Sequence, residues 1–326
     1  MMFPDVSFSM MLNPVFSFSR VLVFLIVFAR VEVQAQAWKK LPPTKIGSEI
    51  SEQVETHDDI IFARNGEREM LLNLYRPKDR QGKLPAIICI HGGGWAKGNR
   101  QHHAHVAKAL AARGYVTVSI DYRLSGEAIF PAHIEDCKAA VRWMRANAAT
   151  WGVDPDWIGA TGSSAGGHLA VLLATSGGVE ALEGEGGHAK FSSVIQAAAP
   201  MGGQSDFLSE RNRLKSAEVR IWQDFLGGTQ EEVRDTYRLA SPRAHLNAGD
   251  PPVFFMSGEL DDLSTHGVEF REECLTLGIP TKLHVISGAP HGFLMKQKFF
   301  DEGVDQLDTF FSLYLKRNAV PDRGAR

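Results

Sequence analysis

Residues Gly162 to Ala170, "GSSAGGHLA", set three glycines and two adjacent serines between an apolar run and an apolar helical pattern. Gly162-Ser163-Ser164-Ala165-Gly166 fits G-x-S-x-G, and the spacing has a steric meaning. A serine held in a strained strand-to-helix turn exposes its hydroxyl. The glycines two residues to either side lack side chains because the flanking backbones approach closely. Ser164 is the central serine, and Ser163 is only its neighbour in the turn. The helix expected just after it aims its N-terminus at the site, which favours developing negative charge. A second glycine cluster, "HGGGW" at His91 to Trp95, follows the apolar run "AIICI". Consecutive glycines there can expose backbone N–H groups that converge on one oxyanion, as acyl transfer requires. The stretch fails G-x-G-x-x-G and lacks the Gly-Lys-Ser/Thr ending of a phosphate loop, which leaves a plain glycine turn as the alternative. Trp95, next to these glycines, is expected to line an acyl-binding pocket, with core packing as its alternative.

A serine hydroxyl needs a base to take its proton, and the base must be held in one tautomer. With G-x-S-x-G the base is expected after the last strand and the carboxylate after the strand before it. "ISGAPHGF" supplies His291, flanked by Gly288 and Gly292, and "FFMSGELDDL" supplies Asp261 and Asp262.

The elements that must position these groups alternate. "DDIIFARNGEREMLLNLYRP" reads as two strands joined at Asn65-Gly66, a hairpin dipeptide. "LPAIICI", "YVTVSID", "WIGATG", "SSVIQAAAP", "PPVFFMSG" and "TKLHVIS" read as short strands, several of them apolar throughout as in a sheet buried on both faces. Between or after them, "HVAKALAARG", "IEDCKAAVRWMRANA", "HLAVLLATS" and a stripe at Phe300, Val304, Leu307 and Phe311 read as helices. Glu135 and Asp136 in the first turn of the second of these complement its dipole. This alternation predicts a mostly parallel central sheet with helices on both faces and an N-terminal β-hairpin. "SGGVEALEGEGGHAK" is expected to be a flexible surface loop. Gly202 to Gly249 is expected to be an insertion over the sheet's edge.

The chain resembles the α/β-hydrolase carboxylesterases close to the hormone-sensitive-lipase group. It is most similar to secreted bacterial enzymes of the feruloyl- and acetylxylan-esterase-like type. "HGGGW", "DYRLSGE", "FPAHIEDCKAAVRW", "GSSAGGHLA", "SGELDD" and "HGF" stand in the family's order and cover roughly Asp59 to Arg317. The resemblance implies the α/β-hydrolase fold and a serine esterase with no metal or organic cofactor. It also implies an oxyanion hole at the N–H groups of Gly93, Gly94 and Ala165. In the family the acid stands three residues after the strand-ending glycine. Counted from Gly258, that is Asp261, giving the triad Ser164, Asp261 and His291. Two departures are visible: Asp262 follows directly, and "LSTHG" replaces the usual Val-Pro. A small-molecule or carbohydrate ester is the substrate class implied. Amidases of the formamidase-like type, and a non-catalytic hydrolase-fold binding protein, are the alternatives.

Composition bounds the rest. The 326 residues are 44% hydrophobic and 22% charged with a formal net charge of −3, so nothing suggests a nucleic-acid partner. Three scattered cysteines, Cys89, Cys137 and Cys274, make no disulfide framework. His102, His103 and His105 lack an accompanying carboxylate, so a solvated helix start is favoured over a metal site. Asp121, Tyr122 and Arg123 are expected to be structural. Val21 to Ala29 is an unbroken apolar run, too short to span a bilayer but suited to a signal peptide. "AQA" at Ala35 to Ala37 sets the expected cut after Ala37, with Met10 or Met11 as an alternative start. The expected organisation is a signal peptide over 1–37 and a catalytic domain over 38–326, secreted or periplasmic and with no stable membrane partner. An uncleaved N-terminal anchor is the alternative. The site is expected to be open, with residues Trp38 to Asp59 not roofing it.

Overall fold

The computed structural model describes residues 41–45, 47–263 and 267–316, so the expected signal peptide lies outside the described residues. All elements below belong to the unit Pro42–Arg326. A short helix α1 (Ser48–Gln53) leads into β1 (Val54–Asn65), β2 (Arg68–Pro77) and β3 (Leu84–Ile90). Then follow α2 (Ala104–Ala111), β4 (Val116–Ile120), α3 (Ala132–Ala146), α4 (Ala148–Trp151), β5 (Val153–Ser163), α5 (Ala165–Thr175) and β6 (Ala197–Met201). Three short helices, α6 (Glu210–Ser216), α7 (Arg220–Leu226) and α8 (Arg234–Ala240), precede β7 (Val253–Gly258). The chain ends its described part with α9 (Val268–Thr276), β8 (Thr281–Ile286) and α10 (Gln297–Leu315).

The strands form an eight-stranded sheet in the order β1-β2-β4-β3-β5-β6-β7-β8. The β1–β2 and β2–β4 pairings are antiparallel, and those from β4 through β3 to β8 are parallel. This is the α/β-hydrolase arrangement. After β3 the chain moves to β4 on one side, and after β4 it returns to β5 on the other. The strand order therefore reverses at β3, and a crevice opens outside the carboxyl ends of β3 and β5. "HGGGW" leaves the first of these ends and Ser164 the second.

Burial explains the run-like strands: every residue of β4 and all but the first of β3 are buried. One face is covered by α10, whose stripe Phe300, Val304, Leu307 and Phe311 is buried. Each such side chain contributes about 1.5–3 kcal/mol when withdrawn from water. Gly159 of β5 leaves room for that helix, since a Cβ there would lie 2.8 Å from the Phe311 ring.

Four local expectations are corrected. The hairpin turn is Gly66-Glu67, with Asn65 paired to Arg68. Positive φ at Gly66 but not at Glu67 is the II′ pattern, and Asn65 is held in the strand because its amide donates to Asp136. Asp136 is buried and receives Arg123 as well, so it serves an ion pair rather than the helix dipole. The Gly- and Glu-rich stretch is anchored, not free: Leu182 is buried, and Glu183 accepts from Lys138 Nζ (2.6 Å), Ser193 Oγ (2.8 Å) and Arg142 (3.1 Å). The insertion leaves β6, an interior strand, and packs across the sheet's carboxyl end, with Phe225 of α7 stacked on Trp95 at 4.3 Å. Aromatic packing, which no local pattern reports, puts it there.

The Glu183 cluster makes a stability prediction. Glu183→Ala leaves the buried Lys138 ammonium with only the Ser176 carbonyl (2.7 Å) and strips Arg142 of its carboxylate. Removing one partner of a buried pair is expected to lower the unfolding free energy by about 3 kcal/mol. Urea denaturation of the variant against the parent checks this through the midpoint at constant m.

Candidate active site

Ser164 sits between β5 and α5 with φ 57° and ψ −118°, a backbone that non-glycine residues rarely adopt. Its surroundings hold that strain. Ser164 N–H donates to the Met201 carbonyl at 2.8 Å, and its own carbonyl takes the His168 N–H at 3.0 Å. The glycines on either side are steric necessities. A Cβ at Gly162 would lie 2.4 Å from the Gly166 oxygen, and one at Gly166 would lie 2.1 Å from the Ile90 oxygen. The turn can thus form only if β3, β5 and the start of α5 close to within backbone contact.

The "HGGGW" loop meets this turn directly, because a Cβ at Gly92 would lie 2.7 Å from Ser163 O and 3.2 Å from Ser164 Cβ. Gly93, Gly94 and Trp95 have successive positive φ values of 114°, 59° and 58°. The Gly93 carbonyl accepts the N–H groups of Ala96 and Lys97. Ala165 is the first residue of α5, so its N–H has no carbonyl partner within the helix. Gly93, Gly94 and Ala165 therefore stand on the two backbones flanking Ser164.

Asp261 and His291 come from the loops after β7 and β8. Gly258 lets these loops touch: a Cβ there would lie 2.3 Å from the Ala289 oxygen. The loops are also laced together by Leu260 N–H to the Ala289 carbonyl (3.0 Å) and by Glu259, which accepts from Ser287 Oγ and Gly288 N–H. His291 Nδ1 lies 2.7 Å from Asp261 Oδ2, and Asp261 Oδ1 accepts the Asp262 N–H at 2.9 Å. The Asp262 carboxylate points elsewhere, to Arg211 and to Lys215 (3.7 Å) on α6. Gly202, directly after the Met201 that holds Ser164, lies against the pair: a Cβ there would lie 3.0 Å from Asp261 Oδ2 and 3.1 Å from the imidazole. Sequence reasoning missed Gly202. Its signal was a glycine pair at the end of an apolar strand.

Trp95 is 5% exposed, stacks on Phe225 and donates through Nε1 to His168 Nδ1 at 3.2 Å. The structure thus places it in the core beneath the loop, the alternative to lining a pocket. The side chain that rises over the "HGGGW" loop is Ile221, which a Cβ at Gly94 would meet at 2.1 Å. Asp121 pairs with Arg100 (2.6 Å), Tyr122 donates to the His91 carbonyl (3.1 Å) and Arg123 pairs with Asp136 (2.9 Å), so all three brace the strand ends.

The carboxylate hydrogen bond on Nδ1 holds His291 above the ordinary histidine value of 6.5, against the opposing effect of burial. With Nδ1–H donated to Asp261, Nε2 is the basic nitrogen of the neutral ring. Two pH effects follow, and they run in opposite directions. The pair's contribution to stability is fully present below the unfolded histidine value and is lost as pH rises through the folded one. A ring acting as general base must be neutral, so an activity that uses His291 is expected to rise in kcat/KM with pH through a single limb centred above 6.5. A pH–rate profile measures that midpoint directly.

A family described as BD-FAE matches residues 72–268, a span that takes in Gly93, Ser164 and Asp261 and stops before His291. Esterase LipQ of Mycobacterium tuberculosis is 33% identical over 208 residues, 63% of this chain and 49% of LipQ. Carboxylesterase NlhH of the same species is 29% identical over 237 residues, 71% of this chain and 73% of NlhH. The chain spans about half the length of LipQ and of the probable carboxylic ester hydrolase LipM. Among solved structures, a truncated carbohydrate esterase from gut microbiota superposes with a TM-score of 0.69 at 25% identity, covering 79% of this chain and 96% of that one. The propionate-bound esterase Est2 of Thermogutta terrifontis gives 0.66 at 27% identity, covering 80% and 94%.

Proposed function

Because this chain belongs to the BD-FAE family, we propose that it is a serine carboxylesterase with Ser164 as nucleophile, His291 as base and Asp261 as the acid that orients it. The observation that carries this reading is the 2.7 Å Asp261–His291 hydrogen bond, one residue removed from the strained Ser164 turn through Met201-Gly202. Ser164 Oγ attacks the ester carbonyl as His291 Nε2 takes its proton. The N–H groups of Gly93, Gly94 and Ala165 receive the oxyanion, and the α5 N-terminus adds its dipole. The imidazolium returns the proton to the departing alcohol, and water releases the acyl enzyme by the same steps. Related enzymes named as esterases support the reaction class.

The substrate we propose is an acetyl or feruloyl ester of a carbohydrate. Support comes from the carbohydrate esterase among the similar structures and from the openness of the site. His291 is 46% exposed. The described residues before β1 engage the segment after His291, with Thr44 bonded to Leu294 and Met295 and Gln297 bonded to Pro42. The protein in this reading is exported, by a signal peptide cut after Ala37. No described helix is long and apolar enough to cross a membrane.

The test is a panel of acetyl, butyryl, longer acyl and feruloyl esters together with acylated polysaccharide. Release of acetate or ferulate from the polysaccharide is the expected result. Cleavage of small aryl esters without any release from polysaccharide removes the carbohydrate assignment, and no ester cleavage at all removes the esterase. For export, the secreted or periplasmic protein is expected to begin at Trp38 on N-terminal sequencing.

A further inference from the structure

His168 is fully buried and carries two hydrogen bonds of opposite sense. Trp95 Nε1 stands 3.2 Å from its Nδ1, and the Ala240 carbonyl stands 2.7 Å from its Nε2. An indole N–H can only donate and a carbonyl can only accept, so the tautomer is fixed: Nδ1 is bare and Nε2 carries the proton. Burial pushes the imidazole down to about 4, which keeps that neutral form at working pH. The imidazolium would set a second donor against the indole. The backbone N–H of His168 also holds the Ser164 carbonyl. One residue therefore ties together the nucleophile helix α5, the oxyanion loop and the last turn of α8.

Trp95 follows Gly94 immediately and shares its positive φ, so its indole is the anchor for that turn. The ring's faces are fixed by stacking on Phe225, but stacking alone leaves the ring free to slide in its plane. The hydrogen bond to His168 removes that freedom. We propose that His168 is a positioning residue, which fixes Trp95 and through it the height of the Gly93 and Gly94 N–H groups above Ser164. The inference rests on reading Ser164, His291 and Asp261 as an acyl-transfer site. It goes further by giving a role to a residue that touches no reacting atom.

Bond count supplies the test. An asparagine amide oxygen reaches the Nδ1 position and can still accept from Trp95. A glutamine amide reaches the Nε2 position and can still donate to Ala240. His168→Gln is expected to lower kcat per titratable serine by a factor of about 10–100, with KM unchanged within threefold, because the lost term acts on the transition state. His168→Asn is expected to lose less than about fivefold. Trp95→Phe, which removes the donor, is expected to match His168→Gln, and the double variant is expected to fall no further. Active sites are counted by exhaustive fluorophosphonate titration, so partial unfolding does not enter kcat. If His168→Gln does not fold, Trp95→Phe carries the test through the same fall in kcat at constant KM. Equal losses in the asparagine and glutamine variants, or losses confined to KM, overturn the proposal. A parent protein that takes up no fluorophosphonate instead overturns the acyl-transfer reading beneath it.

Discussion

Ser164→Ala is expected to abolish ester hydrolysis, while Ser163→Ala keeps most of it. The nucleophile of a serine hydrolase is worth on the order of 10⁶ in turnover, and what survives its loss comes from the oxyanion donors and binding. The two serines are adjacent but differ in backbone. Ser164 alone has the positive φ of the turn, and it is the residue whose N–H and carbonyl are both clamped, by Met201 and His168. Ser163 ends β5 in register with Met201 and has ordinary strand geometry. Initial rates on a short aryl ester separate the two variants. A Ser163 variant as inactive as the Ser164 variant would move the nucleophile of the turn by one residue and contradict the geometry.

The second large effect divides the adjacent carboxylates. Asp261→Asn is expected to lower kcat by a factor of about 10⁴, because an amide at this position favours the wrong imidazole tautomer while preserving shape. It also removes the charge that raises His291, so the acid limb of the pH profile moves down. Asp262→Asn is expected to cost less than about tenfold. Its side chain faces Arg211 and Lys215 on α6, both well exposed, and its contribution to Asp261 is a backbone N–H that the substitution leaves in place. Steady-state kinetics of both variants from about pH 5 to 9 decide the matter. A large loss in Asp262→Asn with a small one in Asp261→Asn would reverse the assignment.

The parts of the site legible in the sequence were those that backbone sterics force. Gly162, Gly166, Gly93 and Gly258 stand where a Cβ would strike backbone atoms, so the motifs that contain them could be read without coordinates. The strand order could not. Short apolar runs announce buried strands but not their neighbours, and the reversal at β3 that brings "HGGGW" beside Ser164 is a property of the assembled sheet. Side-chain roles set by contacts from far along the chain were equally hidden. Trp95 was ambiguous because Phe225, which stacks on it, lies 130 positions later in a segment without pattern. His168 passed unremarked although it left a signal. It is the one polar residue in "GGHLAVLLA", a helix buried all round, and such a residue must find partners within the protein. The hairpin turn was misplaced by one residue, because Asn65-Gly66 suits a tight turn locally while Asp136 holds Asn65 in the strand.

One measurement bears most directly on the central claim that Ser164 is an activated nucleophile beside a base. The purified protein is treated with a fluorophosphonate probe, digested, and the labelled peptide identified by mass spectrometry. The account predicts one adduct per chain, on the peptide containing "GSSAGGHLA" and on Ser164 within it. Labelling is expected to weaken as pH falls through the His291 limb, and to be lost in Ser164→Ala. An unlabelled native protein, or an adduct on any other residue with Ser164 unmodified, would contradict it.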